Sequence, residues 1–182
     1  MKKSLLIVLI SLASITTTHA QTYITKNGKI SFFSKTAMEN IDAVNNQVVS
    51  VLDSKTGVMQ FSVQVKGFIF KKALMQEHFN EQYMQSDKYP KATFKGTISG
   101  ISKVNFAKDG NYVVSVTGNL GVHGVTNKVT VPGTISIVGG KVNATATFNI
   151  LLADYKIDIP KMVQDNISKS IEIKVDCNYQ PK

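Results

Sequence analysis

Apolar and polar residues alternate with a period of two along most of this chain, and this alternation constrains the fold more than any other feature. Near the C terminus, Ile171, Ile173, Val175, Cys177 and Tyr179 alternate with charged and amide side chains. Successive side chains of a β-strand point to opposite faces of the sheet, so this segment is predicted to be a strand with one apolar face. The sequence therefore predicts an all-β protein.

The same alternation recurs upstream, with turn-forming residues between the runs. The predicted strands cover residues 30–34, 47–53, 60–66, 92–101, 112–123, 129–137, 142–152 and 171–179. The predicted turns are Asn27-Gly28, Lys55-Thr56-Gly57, residues 108–111, residues 124–127 and Gly139-Gly140, and residues 35–46 are predicted to be a loop. Eight or so strands joined by hairpins, each with one apolar face, predict an antiparallel meander that closes into a barrel or folds into a sandwich.

Two segments depart from the alternation. Residues 73–86 place Leu74, His78 and Phe79 near one helical face, which predicts a short amphipathic helix packed on the sheet. Pro160 suits the first turn of a second short helix running toward Ile167. We expect one or two short helices beside the strands.

The first twenty residues have the pattern of a secretory signal peptide. A basic start precedes an apolar run that is too short to span a membrane, and small residues precede a predicted cleavage site before Gln21. This predicts a signal peptide over residues 1–20, one domain over residues 21–182, and a periplasmic or secreted location.

The composition argues against a nucleic-acid partner and against an internal disulfide. All 21 basic residues are Lys and the formal net charge is +9, but nucleic-acid readers normally use Arg, so no nucleic-acid partner is expected. The dispersed Lys residues fit solubility, protection of strand edges, or transient contact with an anionic membrane surface. Cys177 is the single cysteine, so no internal disulfide forms, and it is predicted to be an inert buried thiol.

No catalytic or metal-binding motif is evident. His78 and Glu81 are three residues apart, yet a catalytic zinc needs three protein ligands, and a helix with its Glu residues facing water is favoured. His123 lies in a hairpin, where capping a turn is favoured over contacting a ligand head group. We therefore expect no enzyme activity, no metal and no cofactor.

Small residues interrupt the apolar faces of the strands. Gly118, Gly133, Ala144 and Ala146 share faces with large aliphatic and aromatic residues. In a barrel of about eight strands they would leave room for a small ligand, or they would supply the bends that a closing sheet needs. Both possibilities remain open from the pattern.

Several motifs carry a family resemblance. Residues 77–96 (EHFNEQYMQSDKYPKATFKG), the hairpin residues 118–129 (GNLGVHGVTNKV), residues 154–160 and the last strand together resemble the YceI-like family. The resemblance implies an eight-stranded antiparallel lipocalin-like β-barrel with a helix packed near it, and some members enclose an isoprenoid or another amphiphilic lipid. The first strand of the family often contains a His, and this chain departs from that pattern at residues 35–46.

The resemblance and the alternation together predict an exported protein that holds an isoprenoid, quinone-like or other long-chain lipid in an apolar cavity. The alternatives are a filled barrel that acts as an envelope interaction module, or an enzyme or accessory acting on an amphiphile. A homo-oligomer is left open. The predicted ligand-binding residues are Phe32, Phe61, Val63, Phe94, Val114, Val116, Leu120, Phe148, Ile150 and Ile173. The predicted cavity-rim residues are Phe68, Phe70, Phe79, Tyr83 and His123.

Overall fold

A computed structural model describes residues 21–182 of the chain, and the predicted signal peptide lies outside these residues. Nine strands make up most of the described chain. They are β1 (Thr22–Lys35), β2 (Asn40–Asp53), β3 (Val58–Gln64), β4 (Ile69–Phe70), β5 (Lys91–Ser99), β6 (Gly110–Val122), β7 (Val125–Val138), β8 (Lys141–Leu151) and β9 (Ser170–Pro181).

Eight of the strands close into an antiparallel barrel. The hydrogen-bonded order is β1-β9-β8-β7-β6-β5-β3-β2, and β1 also pairs with β2, which completes the ring. The two-residue strand β4 pairs with the first half of β2, outside the ring of long strands. The prediction of an eight-stranded antiparallel barrel is confirmed.

The first two strands are longer than the sequence predicted. Asn27-Gly28 is not a turn but lies inside β1, and Asn40 to Asn46 belong to β2 rather than to a loop. The β1–β2 register shifts around Gly28. At this level, the buried residues of both strands change from odd-numbered to even-numbered positions. The buried face passes from Tyr23 and Thr25 to even-numbered positions in β1. This switch of the inward-facing positions breaks the period-two pattern, which is why the alternation did not predict these segments as strands.

Side-chain hydrogen bonds stabilise this irregular level of the barrel. The buried Asn45 donates from Nδ2 to the Gln64 carbonyl at 2.9 Å and accepts from the Gln47 N–H at 2.8 Å. On β1, the Asn27 N–H donates to Thr25 Oγ1 at 3.3 Å. These bonds satisfy buried polar groups that would otherwise destabilise the sheet.

The other predicted turns lie close to their expected positions. Asp53 Oδ1 accepts from the N–H groups of Lys55 and Thr56, which shapes the β2–β3 turn. Gly139 and Gly140 both have positive φ, as a tight hairpin requires. The β6–β7 turn is made by residues 123–124, so Thr126 and Asn127 belong to β7 and not to the turn.

The helical segments are shorter than predicted. Helix α1 spans Ala73–His78, and a π-helical turn follows over Phe79–Tyr83. The Met84 N–H donates to the Phe79 carbonyl at 2.8 Å. After Pro160 the chain forms only a 3₁₀ turn, Lys161–Val163, so the second predicted helix is reduced to a single turn.

One end of the barrel is filled and holds the largest of the three buried hydrophobic clusters of residues 21–182. We call it the closed end: it contains the β2–β3 and β7–β8 turns, the β5–β6 connection and both chain termini of the described residues. Leu52, Ile135, Ile137 and Cys177 are fully buried there. Burial raises the pKa of the Cys177 thiol to about 12. This thiol therefore stays protonated and unreactive at neutral pH, as an inert buried cysteine does.

Two glycines allow an aromatic ring to lie flat inside the barrel wall. Gly96 and Gly118 face each other across β5 and β6, and the Phe94 ring packs over both. A Cβ added at Gly118 would lie 2.5 Å from Gly96 Cα and from the Lys95 carbonyl oxygen. These glycines therefore accommodate Phe94 rather than leaving free volume for a ligand.

We expect Gly118→Ala to destabilise the barrel because the added methyl group meets backbone atoms that cannot move aside. Overpacking of this kind typically costs about 1–3 kcal/mol. The measurement is the free energy of unfolding in urea. Gly110→Ala is the matched control, since its Cβ would meet Tyr112 at an ordinary 3.5 Å. Equal stability of the two variants would contradict this packing.

Candidate functional site

Next to the packed core of the closed end the barrel encloses an apolar cavity of about 360 Å³, and core residues such as Ile98 and Ile135 line its inner end. Its walls come from inward-facing aliphatic and aromatic side chains of all eight long strands. Several of these side chains, among them Phe94, Phe148 and Ile173, are only half-buried although they point into the barrel. Inward side chains remain accessible because the space between them is empty. Cavities of this size and character hold small apolar or amphiphilic ligands.

The predicted ligand-binding residues converge on this cavity. All ten of them line it, and they come from six different strands, β1, β3, β5, β6, β8 and β9. The alternation had therefore assigned the inward face correctly along these strands. That these side chains contact a ligand stays a prediction.

Four phenylalanines form an aromatic cluster in the cavity wall. The Phe79 ring lies 5.4 Å from Phe32, 5.8 Å from Phe68 and 5.0 Å from Phe70 between ring centroids. The chain brings them together because β4 pairs with β2 and leads directly into α1. Stacked and tilted aromatic pairs at these distances stabilise each other beyond simple burial. The cluster fixes the β3–β5 connection against the barrel.

The remaining two predicted rim residues are placed differently. Tyr83 lines the cavity, and burial raises the pKa of its hydroxyl. His123 is not among the lining residues. Its Nδ1 lies 3.1 Å from the Tyr155 carbonyl oxygen, and its ring contacts Tyr89 with centroids 4.8 Å apart. His123 thus connects the β6–β7 turn to neighbouring connections and does not line the cavity.

The connections that contribute to the cavity lining lie at the end of the barrel opposite the closed end, which we call the mouth. Three connections surround it: the β1–β2 turn, helix α1 with its π-helical turn, and residues 152–169 between β8 and β9. The Ser168 N–H donates to Ser34 Oγ at 2.8 Å, which attaches the third connection to β1. Glu39 forms an ion pair with Lys72 at 3.1 Å and joins the first connection to the second.

The alternation did not identify most of the lining residues that these connections contribute. They are Glu39, Met75, His78, Ile157, Val163, Asn166 and Ile167. No repeating pattern marks them, because their positions depend on how each connection folds back over the barrel. For His78, the predicted helical face did contain a usable signal.

The acidic, histidine and cysteine side chains of the described residues are dispersed rather than clustered as metal ligands would be. Residues 21–182 contain no group of three or more His, Cys, Asp or Glu side chains that could hold a metal ion. Glu81, which the sequence spaced near His78, is exposed. The Tyr112 hydroxyl donates to backbone carbonyls of the β5–β6 connection at the closed end, away from the cavity mouth.

None of the helices formed by the described residues combines the length and the apolar character that a bilayer crossing requires.

Known structures share this fold. A polyisoprenoid binding domain from Saccharophagus degradans aligns with a TM-score of 0.78 and 12% identity over 90% of this chain and 100% of that one. BcnA from Burkholderia cenocepacia aligns with a TM-score of 0.70 and 19% identity over 84% of this chain and 96% of that one. The YCEI protein of Campylobacter jejuni aligns with a TM-score of 0.56 and 14% identity over 100% and 99%.

No curated protein matches the chain at a significant level. The family model of the YceI-like domain, in contrast, matches residues 11–179. That match includes seven of the eight long strands in full, β9 as far as Tyr179, and the three connections around the mouth. The chain therefore belongs to the YceI-like family.

Proposed function

We propose that this protein is an exported, non-catalytic carrier that holds the tail of an isoprenoid, quinone-like or similar lipid inside the barrel. The observation that carries the proposal is an apolar cavity of about 360 Å³ that adjoins a packed core at the closed end. Such a shape closes one end of the cavity to an entering chain. A structurally similar domain, that of Saccharophagus degradans, is described as a polyisoprenoid binding domain.

Burial of the hydrocarbon supplies the binding energy. Each CH₂ equivalent removed from water contributes about 0.8 kcal/mol, so a few isoprene units offset the cost of ordering the ligand. A lining made of Val, Ile, Leu and Phe gives little directional specificity along the tail. Selection among tails would therefore follow length and width more than chemical detail.

Location and partners complete the proposal. The signal-like residues 1–20 support export to the periplasm or beyond, where a water-insoluble lipid needs a carrier to cross an aqueous space. The protein would exchange its lipid during transient contact with a membrane surface. A filled barrel acting as an interaction module is the second candidate, but the half-buried inward side chains favour the carrier.

Exposed apolar side chains around the mouth support such contact. Met38 in the β1–β2 turn, Leu74 on α1 and Met162 beside Val163 are 74%, 61% and 97% exposed. They lie on the three connections that surround the mouth. Large apolar side chains left in water near a lipid cavity are typical of membrane-facing surfaces.

Ala146→Leu tests the carrier function directly. Ala146 lines the cavity, so a larger side chain occupies ligand volume, and we expect at least tenfold weaker binding of geranylgeraniol with the fold intact. Native mass spectrometry measures binding, and the melting temperature reports the fold. Thr147→Leu is the control, because Thr147 is the exposed neighbour on β8. A wild-type protein that binds no prenyl lipid, and that Ala146→Leu strongly destabilises, would support the filled barrel instead.

Lipid exchange should depend on the exposed side chains at the mouth. We expect the combined change Met38→Ser, Leu74→Ser and Met162→Ser to slow transfer of geranylgeraniol between phosphatidylcholine vesicles severalfold, with affinity for the free lipid unchanged. Val113→Ser with Val138→Ser is the control, because these exposed valines lie at the closed end. Equal transfer rates for both variants would show that membrane contact does not involve the mouth.

A further inference from the structure

One strand pair of the barrel, β7 with β8, is hydrogen-bonded along only part of its length. The β7–β8 ladder runs from the turn between the two strands to the level where Gly133 pairs with Ala146, and it ends there. Residues 125–132 of β7 then pair with β6 alone, and residues 147–151 of β8 pair with β9 alone. The barrel wall is therefore interrupted between β7 and β8 on the side of the mouth.

Pro132 explains why the ladder ends at this level. Extending the register would next pair Pro132 with Thr147, but proline has no N–H to donate. The pairing of β7 with β6 continues without a break through Ser115 and Pro132, so the missing donor is on the β8 side. Within sheets, proline is confined to strands with a free edge, to first residues and to bulges. From Pro132 towards the mouth, β7 has such a free edge.

No other strand of the described residues fills this interruption. Strands β2 and β3 also stop pairing towards the mouth, but there β4 pairs with β2 instead. Between β7 and β8, Asn127 Nδ2 donates to the carbonyl of Asp154 at 2.7 Å and bridges the mouth-side end of the interruption. We call the interruption the side window. Residues 128–132 and 147–151 are its two borders, and five residues of a strand span about 16 Å.

The inner side of the side window is the cavity itself. The inward-facing residues of both borders line the cavity: Val129, Val131, Phe148 and Ile150. Val131 is buried, whereas the other three are only half-buried. The cavity therefore reaches the barrel wall at the place where no ladder closes it.

The outer side of the side window is almost free of charge. Its exposed residues are Thr130, Pro132, Thr147, Asn149 and Leu151. Lys128 is the one charged residue in the two borders, whereas the neighbouring strand β9 carries Glu172, Lys174 and Asp176 at alternate positions. The Leu151 side chain is 50% exposed. A hydrocarbon chain that crosses here displaces water mainly from neutral groups, and this costs far less than removing water from an ion.

We propose that the side window is an entrance to the cavity, through which the hydrocarbon tail of the lipid passes sideways between β7 and β8. This inference rests on the proposed function and names the route by which the ligand is exchanged. A tail that moves sideways between a bilayer and the cavity exposes only the segment in transit to water. A tail drawn out lengthwise through the aqueous phase exposes its whole length, and the cost grows with the apolar area exposed.

A short cross-link across the side window should slow exchange of the lipid without changing its affinity. Thr130→Cys with Asn149→Cys places thiols at facing positions of the extended register, and dibromobimane joins them. Cys177 does not react, because burial raises its pKa to about 12. We expect uptake of geranylgeraniol from phosphatidylcholine vesicles, and its release to them, to slow at least fivefold, with the Kd unchanged. Native mass spectrometry at timed intervals measures both rates.

Thr134→Cys with Thr145→Cys is the matched control, because this pair lies in the intact ladder, one level from its end. Its cross-link should leave both rates as they are in the wild type. Wild-type rates in both cross-linked proteins would overturn the side window as the route, while the carrier function would stand because the lipid still binds. If the wild type binds no geranylgeraniol at all, the carrier function itself is refuted.

Asn127→Ala tests the mouth-side end of the side window without any cross-link. Loss of the hydrogen bond to the Asp154 carbonyl should widen the side window and speed exchange severalfold. Asn119→Ala is the matched control, since Asn119 is an exposed amide on the adjacent strand β6. Exchange by Asn127→Ala that is no faster than exchange by Asn119→Ala would count against the side window.

Discussion

Every other feature of the molecule depends on the pairing of β1 with both β2 and β9. This double pairing closes the sheet, so neither edge is left with unpaired backbone groups. A closed ring of eight strands fixes an interior just wide enough to be filled by side chains or to hold one small ligand. The irregular register of β1 near Gly28 belongs to the same constraint, because such irregularities increase the local twist that closure requires.

In this barrel, side chains fill the interior at one end and leave it empty at the other. At the closed end, large side chains fill the interior, and Ser50 Oγ and the buried Tyr179 hydroxyl are 2.6 Å apart in a hydrogen bond. Burial raises the pKa of Tyr179 well above its ordinary value, so this hydroxyl stays neutral. Toward the mouth, the facing side chains no longer meet. The packed end can supply the stability of the fold while the empty end remains available for a ligand.

The sequence predicted the strands and the cavity wall correctly wherever every second residue faces inward along the whole strand. It failed in the first halves of β1 and β2, because the inward-facing positions change from odd to even within them and because Asn45 places a polar group inside. It failed again for lining residues such as Val163 and Asn166, whose positions depend on tertiary contacts of irregular connections. Alternation identified Gly118 as inward-facing, but it contained no information on the direction of the Phe94 ring that covers it.

The most direct test of the central claim is native mass spectrometry of the protein purified from its native cells, without added lipid, followed by organic extraction. The account predicts a stoichiometric excess of mass over the polypeptide, and an extract that contains a prenyl or similar long-chain lipid. A bare polypeptide mass that remains unchanged after incubation with prenyl lipids would contradict it, because a cavity with this lining would then hold no lipid.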